Sequence, residues 1–224
     1  MSTETFSELG YALVPGVVSH AACDGLIRHL SQLGVANAGS RTLLALPWCM
    51  QLANTLKIQP AIAAMLPSGA VAVQCTLFEK TAHKNWAVAT HQDLSIPVRE
   101  RVPESLCTGW ARKEGVLHTQ PPPAVLAKLV AVRVHLDECP PEAGALRVVP
   151  GSHRGGRLTQ SEIERLRAQH GEAECAASRG AALILRPLLL HASSRVAGHG
   201  VRRVLHFLFG PQSLPYGLNW HTAV

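Results

Sequence analysis

The stretch "AVAVQCTLF", residues 70–78, marks the place where the pattern of the chain changes from helical to strand-like. It is a short apolar run with β-branched residues, and it follows the turn residues "PSG". Such runs are typical of β-strands. Further runs of this kind occur at 86–90, 128–136, 145–149, 181–185, 188–191 and 203–209. We therefore predict a sheet-rich body beyond residue 70.

The residues before this stretch favour helices, at about 19–66. Ser19 is a suitable N-cap, and Gly34 is placed to end the first helix. Apolar residues recur between them at helical spacing: Ala22, Leu26, Leu30 and Leu33. A second helical pair is predicted over 50–66, with Pro60 at the first position of a helix. We expect these helices to pack on the sheet-rich body.

Two segments interrupt the predicted strands. Ser161 and Glu164 have the spacing of a capping box and predict a late helix. The Pro-rich segment 98–123 lacks clear periodicity, and a loop of that length in a compact domain is usually functional. We predict that it forms a lid over a binding site. Its candidate substrate contacts are Trp110, Arg112 and Arg99, together with the cations Arg101 and Lys113.

The composition is that of a globular protein. With 224 residues, 47% hydrophobic and 16% charged, we expect a single domain over 1–224. The start "MSTETFSELG" lacks the features of a secretory signal, and the apolar stretch "AALILRPLLL" (181–190) is interrupted by Arg186 and Pro187. Neither pattern indicates secretion or a membrane span. The six cysteines are scattered without metal-binding spacing, which favours reduced thiols in a cytoplasmic protein.

The formal net charge of +6 raises the question of an anionic partner. The basic residues are spread along the chain, and no nucleic-acid-binding motif accompanies them. A small anionic substrate or a merely basic surface therefore explains the charge better than nucleic acid does. A membrane partner is not indicated.

The stretch "NWAVATHQDLSIPV", residues 85–98, places His91 and Asp93 two positions apart at the end of a predicted strand. Side chains at this spacing point to the same face of a strand, so the pair could bind one metal ion. The spacing also arises by chance, and a polar strand end is the alternative interpretation.

Two downstream residues support a metal site. A facial iron site needs a second imidazole, because two histidines and one carboxylate leave three coordination positions open. His191 ends the run "RPLLLH" and would emerge from a predicted core strand, although a lone histidine there is more often a core residue. Arg202 opens an apolar strand eleven positions later. A guanidinium entering a core requires an anion such as a carboxylate, whereas an arginine at a strand edge is exposed, as we expect for one of Arg202 and Arg203.

The motifs "HQD" (91–93), "GALRVVPGSHRGG" (144–156) and "HASS" (191–194) with Arg202 resemble, in this order, the phytanoyl-CoA dioxygenase family. The stretches "LGYALVPGVVS" (9–19) and "LFEK" (77–80) are similar to that family as well. The resemblance covers nearly the whole chain. It implies a mostly β fold with flanking helices and a double-stranded β-helix core, the jelly roll shared with cupins.

The resemblance also implies roles for individual residues. The implied iron(II) ligands are His91, Asp93 and His191. Arg202 is implied to bind the distal carboxylate of 2-oxoglutarate, and Ser193 to add a hydroxyl to it. Lys80 and Gln74 lie on the strand that borders the co-substrate in such enzymes.

The implied activity is that of an iron(II)- and 2-oxoglutarate-dependent dioxygenase. Such an enzyme uses O2 to hydroxylate a small-molecule metabolite and releases succinate and CO2. Related halogenases replace the carboxylate ligand by a small residue, so Asp93 favours hydroxylation over halogenation. Desaturation, ring formation and epimerisation stay open.

Three alternatives remain. A nucleobase-type oxygenase shares the ligand plan, but it typically carries a second arginine six positions after the first, where this chain has Leu208. A cupin-like metal protein that does not use 2-oxoglutarate would leave Arg202 unexplained. A non-catalytic module with an oxygenase-like fold is the third alternative.

Overall fold

The computed structural model describes residues 3–33, 40–102, 106–197 and 200–224. Their α-helices are α1 (Thr3–Leu9), α2 (His20–Gln32), α3 (Pro47–Ile58), α4 (Pro60–Ala63), α5 (Pro123–Leu126) and α6 (Gln160–His170). Their strands are β1 (Tyr11–Val14), β2 (Val71–Lys80), β3 (Val88–His91), β4 (Ile96–Val98), β5 (Thr108–Lys113), β6 (Val116–Gln120), β7 (Val130–His135), β8 (Leu146–Val148), β9 (Ala173–Cys175), β10 (Ala182–Leu185), β11 (His191–Ser193) and β12 (Arg202–Gly210).

These strands form antiparallel sheets. The larger main sheet has the order β1-β10-β7-β12-β2, and the smaller has the order β3-β11-β8-β9. Residues of both sheets line one cavity, so the two sheets face each other across it. A third sheet has the order β4-β6-β5. The prediction of a mostly β protein with flanking helices is confirmed.

The larger sheet has two different faces because side chains alternate along each strand. One face contributes Val132, Leu205 and Phe207 to a core that also contains Leu26 of α2 and Leu56 of α3. Each such buried side chain stabilises the fold by roughly 1.5–3 kcal/mol. The opposite face of the same strands carries polar side chains toward the cavity. The helices thus pack on the outer face of the sheet, and the inner face lines the cavity.

The first predicted helix is present as α2. The Ser19 hydroxyl accepts a hydrogen bond from the backbone N–H of Ala22 at 3.2 Å, as an N-cap does. The buried residues of α2 are Cys23, Leu26 and Leu30, whereas Ala22 is exposed and Leu33 is 39% exposed. The buried face of α2 therefore includes Cys23 in place of the predicted Ala22 and Leu33, because α2 packs on the core through the side that carries Cys23. Gly34 lies outside the described residues.

The other helices agree in part. The second pair consists of α3 and α4, with Pro60 at the start of α4 as predicted. The short α1 was not predicted. Among the described residues, no helix is both long and apolar enough to cross a bilayer.

The late helix α6 begins earlier than predicted. Its N-cap is Thr159, whose hydroxyl accepts from the N–H of Glu162, while the Glu162 carboxylate accepts from the Thr159 N–H at 2.7 Å. The capping box therefore uses this pair and not Ser161 with Glu164. Both pairs have the same spacing, and the earlier one lies at the true helix start.

Two further predictions were wrong. The segment 98–123 is not a structureless lid, since β5 and β6 form a hairpin within it and β6 also pairs with β4. Glu114 and Gly115 both have positive φ, 51° and 81°, which suits a two-residue hairpin turn. The run 188–191 is not a strand that His191 ends. A turn precedes His191, which instead begins β11.

Candidate metal centre and its two cavities

The residues His91, Asp93 and His191 come together where β3 pairs with β11. His91 and His191 are direct partners in this pairing, and Asp93 follows two residues after the last residue of β3. One ligand atom from each residue lies within 4.8 Å of the others. The Asp93 carboxylate oxygens lie 3.6 Å from His91 Nε2 and 3.7 Å from His191 Nε2. Three donors from two separate chain segments thus converge on one point.

The ring orientation of both histidines fits a divalent metal ion. His91 Nδ1 lies 2.8 Å from the carbonyl oxygen of Ala89, and His191 Nδ1 lies 2.9 Å from that of Leu189. A carbonyl only accepts, so each neutral ring carries its proton on Nδ1. Each Nε2 is then a free lone pair directed at the shared point, which is the usual arrangement of metal-binding histidines.

The charges within the group favour an ionised carboxylate. Burial alone would raise the pKa of Asp93, but His191 and His91 beside it hold that pKa well below the usual range. The interaction with the neighbouring Asp93 carboxylate raises the pKa of His91, whereas burial lowers the pKa of His191. The group therefore offers one anionic oxygen and at least one neutral imidazole, a donor set suited to iron(II).

The middle residue of "HQD" ties the ligand loop to its surroundings. The buried Gln92 side chain donates to the carbonyl oxygens of Gly156 and Leu188, both at 2.7 Å. Its amide oxygen accepts from the N–H of Leu158 at 2.9 Å. Gln92 therefore fixes the loop between the two ligands to the segments that precede His191 and follow "PGSH".

The "PGSH" motif acts structurally on the second histidine. The buried Ser152 hydroxyl accepts from the N–H of Leu190 at 2.9 Å, which positions the residue before His191. His153 packs on Gly10, where an added Cβ would lie 2.4 Å from the His153 ring at a φ of 81°. Only glycine fits there. His153 thus connects the "PGSH" turn to Gly10 near the N-terminus, and it is not part of the metal group.

An inner cavity of about 90 Å³ lies on one side of the three ligands. Lys80 and Arg202 are direct partners across β2 and β12, and both are buried. Lys80 Nζ donates to Ser193 Oγ at 3.0 Å and to the Ser194 carbonyl at 2.6 Å. Arg202 Nη1 donates to the Gly144 carbonyl at 2.6 Å, while its Nε has no partner within the described ranges. The predicted trio of Arg202, Ser193 and Lys80 is thus brought together.

Sequence reasoning missed Arg133, a third buried cation in this cavity. It lies in the middle of β7, within the apolar run "KLVAVRVHL", and a charged residue inside such a run is itself a signal. Burial, and then the charge of Arg202, lower the pKa of Arg133 to about 10 and that of Lys80 to about 8. Asp93 is the one acidic residue among the described residues that line the cavity. The excess of positive charge in the inner cavity therefore favours the binding of an anion.

An outer cavity of about 300 Å³ lies on the other side of His91 and Asp93. Gln74 lies here and not beside the inner cavity, because it is six residues from Lys80 along β2, or about 20 Å. Its amide nitrogen donates to Thr76 Oγ1 at 2.9 Å, and its oxygen lies 3.1 Å from His118 Nε2. Gln74 therefore lines the outer cavity and is separated from the predicted co-substrate residues Lys80 and Arg202 of the inner cavity.

The edge of the outer cavity is formed by the hairpin and by a residue before β2. Lys113 lines the cavity together with Arg41, whose guanidinium lies 2.9 Å from Glu114 in the hairpin turn. Burial, and then the charge of Arg41, lower the pKa of Lys113. His206 of β12 also lines this cavity. In the part of the chain that the structure describes, no carboxylate forms an ion pair with Lys113, so its charge is well placed for an anionic ligand.

The residues predicted to contact the substrate from the segment 98–123 lie elsewhere. Trp110 packs under the Arg101 guanidinium, 5.2 Å from it, and Arg112 donates to the Gly115 carbonyl within the hairpin. Arg99 is exposed. These side chains line neither of the two cavities, so only Lys113 of that segment's predicted cations does so.

The chain resembles known proteins in its sequence family and in its fold. A family model described as Phytanoyl-CoA dioxygenase (PhyH) matches residues 6–204. No curated protein sequence matches the chain at a significant level. The similarity to solved structures is a similarity of fold, since the sequence identities are only 20%, 18% and 16%.

Solved structures with similar folds cover nearly all of the chain. EctD from S. alaskensis is 18% identical, with a TM-score of 0.72 over 99% of this chain and 82% of its own. HygX from Streptomyces hygroscopicus, crystallised with nickel and 2-oxoglutarate, is 20% identical, with a TM-score of 0.65 over 94% and 87%. The epimerase SnoN of nogalamycin biosynthesis is 16% identical, with a TM-score of 0.69 over 96% and 88%. The predicted jelly-roll core is thereby confirmed.

Proposed function

The chain belongs to the phytanoyl-CoA dioxygenase family, and we propose that it hydroxylates a small anionic metabolite with iron(II), O2 and 2-oxoglutarate, releasing succinate and CO2. The observation that carries this proposal is the convergence of His91, Asp93 and His191 within 4.8 Å beside a cavity of buried cations. Family membership supports the general role of an iron- and 2-oxoglutarate-dependent oxygenase. Hydroxylation and the class of substrate are our proposal.

The residues of the inner cavity fit a dicarboxylate co-substrate. In this proposal His91, Asp93 and His191 hold iron(II), and Arg202 with Lys80 and Ser193 binds the distal carboxylate. Lys80 and Arg202 face each other as like charges on paired strands, which is unfavourable until an anion lies between them. When bound, the iron and 2-oxoglutarate supply the oxidising chemistry. The cationic cavity also argues against a cupin-like protein that uses metal alone.

The residues of the outer cavity suit a polar substrate. His206 Nδ1 lies 3.0 Å from Arg133 Nη1, and a guanidinium only donates, so His206 accepts on Nδ1 and carries its proton on Nε2. His206 is thereby an N–H donor for a ligand in the outer cavity. Gln74 and His118 add an amide and an imidazole, and Lys113 adds a charge at the edge. These groups together favour a small molecule with oxygen acceptors and an acidic group.

Hydroxylation is favoured by the intact carboxylate ligand. Asp93 occupies the position that halogenases of this type leave to a halide, and its low pKa keeps it ionised and available to a cation. Desaturation, ring closure or epimerisation of the substrate would use the same residues, and product analysis distinguishes these outcomes.

The test uses the full chain, loaded with iron(II) under anaerobic conditions. Addition of 2-oxoglutarate should produce a weak visible charge-transfer band that saturates. Small carboxylates and phosphates, each paired with a neutral ester analogue, are then screened with O2 for faster succinate formation. We expect acidic compounds to stimulate it and the product to gain one oxygen atom. A folded, iron-loaded protein that never gives the band would refute the proposal.

A further inference from the structure

Arg133 is a buried cation that the residues described so far leave without a countercharge. Only 6% of its surface is exposed, and it belongs to the inner face of β7. Its Nη1 donates to His206, a neutral ring, and its Nε has no partner among the described residues. Its face packs at 5.3 Å on the Phe78 ring. These contacts orient the guanidinium without neutralising it.

Leaving such a charge uncompensated is costly. A buried guanidinium without a countercharge loses its hydration and gains little in return. Among the described residues that line the cavity, Asp93 is the one acid, and it already serves His91 and His191. A molecule that enters the inner cavity would supply the negative charge that these residues lack.

The two guanidinium groups lie at different depths of this cavity. Arg202 stands opposite Lys80 at the start of β12, whereas Arg133 stands opposite His206, four residues further along the same strand. That separation corresponds to about 13 Å of backbone. Arg133 Nη1 donates to His206, which lines the outer cavity together with His91 and Asp93, whereas Arg202 Nη1 donates to the Gly144 carbonyl. Arg133 therefore lies on the metal side of the cavity and Arg202 at its far end.

We propose that Arg133 binds the 1-carboxylate of 2-oxoglutarate, the one adjacent to the keto group, while Arg202 and Lys80 bind the 5-carboxylate. This assignment rests on the proposed function. It gives each pole of the dianion its own guanidinium. It also connects the two cavities. The Arg133 guanidinium would contact the co-substrate in the inner cavity, and it donates a hydrogen bond to His206, which lines the outer cavity.

The experiment compares two ligands that differ only at the far pole. 2-Oxopentanoate keeps the keto group and the 1-carboxylate of 2-oxoglutarate, and it carries a methyl group in place of the 5-carboxylate. Both are titrated into the iron(II)-loaded full chain under anaerobic conditions, and dissociation constants are taken from the charge-transfer band. The variants are Arg133→Met, Arg133→Gln and Arg202→Met, with Arg203→Met as the control.

The expected result is a distinct pattern for each arginine. Arg133→Met should weaken both ligands by a similar factor, about 30-fold or more, so that their ratio stays that of the unaltered protein. Arg202→Met should weaken 2-oxoglutarate alone and bring it close to 2-oxopentanoate. Arg203→Met should leave both affinities unchanged, since Arg203 pairs with Asp137 away from the cavity.

Other patterns overturn the assignment. If an Arg133 variant weakens 2-oxoglutarate but not 2-oxopentanoate, Arg133 serves the far carboxylate. If a folded variant with full iron content binds both ligands normally, Arg133 serves neither. Arg133→Gln keeps a polar side chain and decides the matter where the methionine variant fails to fold. If the unaltered protein binds iron but no 2-oxoglutarate, the proposed function itself fails first.

Discussion

The inner and outer cavities share His91, Asp93 and Phe78 as common walls, yet they are built in different ways. The inner cavity is small, about 90 Å³, and its cations stand on paired strands of one sheet. The outer cavity is larger, about 300 Å³, and residues from the hairpin β5–β6 and the segment before β2 complete it. Strands β2 and β12 line both cavities, and inserted elements contribute to the outer one.

Because of this difference, specificity can vary more easily in the outer cavity than in the inner one. A change in the inner cavity must fit a paired strand, because its side chains are set by the register of neighbouring strands. The hairpin lies on the surface and is joined to the rest at its turn by Arg41 and Glu114. Surface elements tolerate changes in length and sequence more easily than core strands. We infer that the inner cavity defines the co-substrate and the outer cavity the substrate.

The largest effect is expected at the three proposed metal ligands, His91, Asp93 and His191. Asp93→Ala or His191→Ala should abolish turnover and weaken iron binding by at least about 100-fold, since even loss of an outer hydrogen bond to a ligand costs up to that much. Metal analysis after dialysis measures the iron content. His170→Ala, on the exposed end of α6, should bind iron normally. Full iron retention in the Asp93 variant would exclude this residue as a ligand.

The next effect separates the cavities from each other. Arg202→Met should raise the dissociation constant of 2-oxoglutarate by about 30-fold or more, because a buried charge loses its partner. The KM for the primary substrate at saturating 2-oxoglutarate should stay the same. A variant that changes the substrate KM more than the co-substrate affinity would contradict the division of labour between the cavities.

A smaller effect depends on pH and again concerns the inner cavity. Burial lowers the pKa of Lys80 to about 8, so its charge is present at neutral pH and is lost as the pH rises through about 8. Binding a dianion then requires uptake of a proton, and 2-oxoglutarate affinity should fall by up to about tenfold per pH unit above that value.

The pH dependence can be assigned with matched variants. Lys80→Arg keeps a charge throughout this range and should bind with a nearly flat pH profile. Lys80→Met should bind more weakly at neutral pH and also without the decline. If both variants keep the decline of the unaltered protein, another group causes it. Charge-transfer titrations across neutral to alkaline pH give these profiles.

The smallest effect is expected at the edge of the outer cavity. Lys113→Gln should raise the KM for an anionic substrate by about two- to five-fold, as a partly exposed charge contributes little. The 2-oxoglutarate affinity should not change. Arg112→Gln is the matched control, because its side chain lies on the hairpin outside the cavity. Equal effects of the two substitutions on KM would show that Lys113 has no specific role.

The strands were the most predictable part of the fold. Apolar, β-branched runs between turn residues predicted seven segments, and β2, β7, β10 and β12 lie where the runs do. The run before His191 failed because three leucines also suit a buried turn. The hairpin β5–β6 was missed because β5 is mostly exposed and β6 buries the polar residues His118 and Thr119, so neither strand shows an apolar alternation. Local patterns report burial, and exposed strands have little of it.

The candidate metal group was partly predictable for the same reason. The spacing of His91 and Asp93 on one side of a strand end is local, whereas His191 was chosen from its place after an apolar run, which is a turn in the structure, and then from resemblance to a family. Arg133 was overlooked although a charge inside an apolar strand is visible in the sequence. Its meaning depends on His206, a partner that lies 73 positions away along the chain.

The sequence by itself determined which segments form core strands and which side chains share a face, because alternation along a strand is set by neighbouring residues. It also placed a histidine and an aspartate at one strand end. The tertiary structure alone decided which faces meet: that β3 joins β11, that Lys80 faces Arg202, and that Gln74 lies in the outer cavity. Pairing between distant segments depends on the packing of the whole fold, and no local pattern contains it.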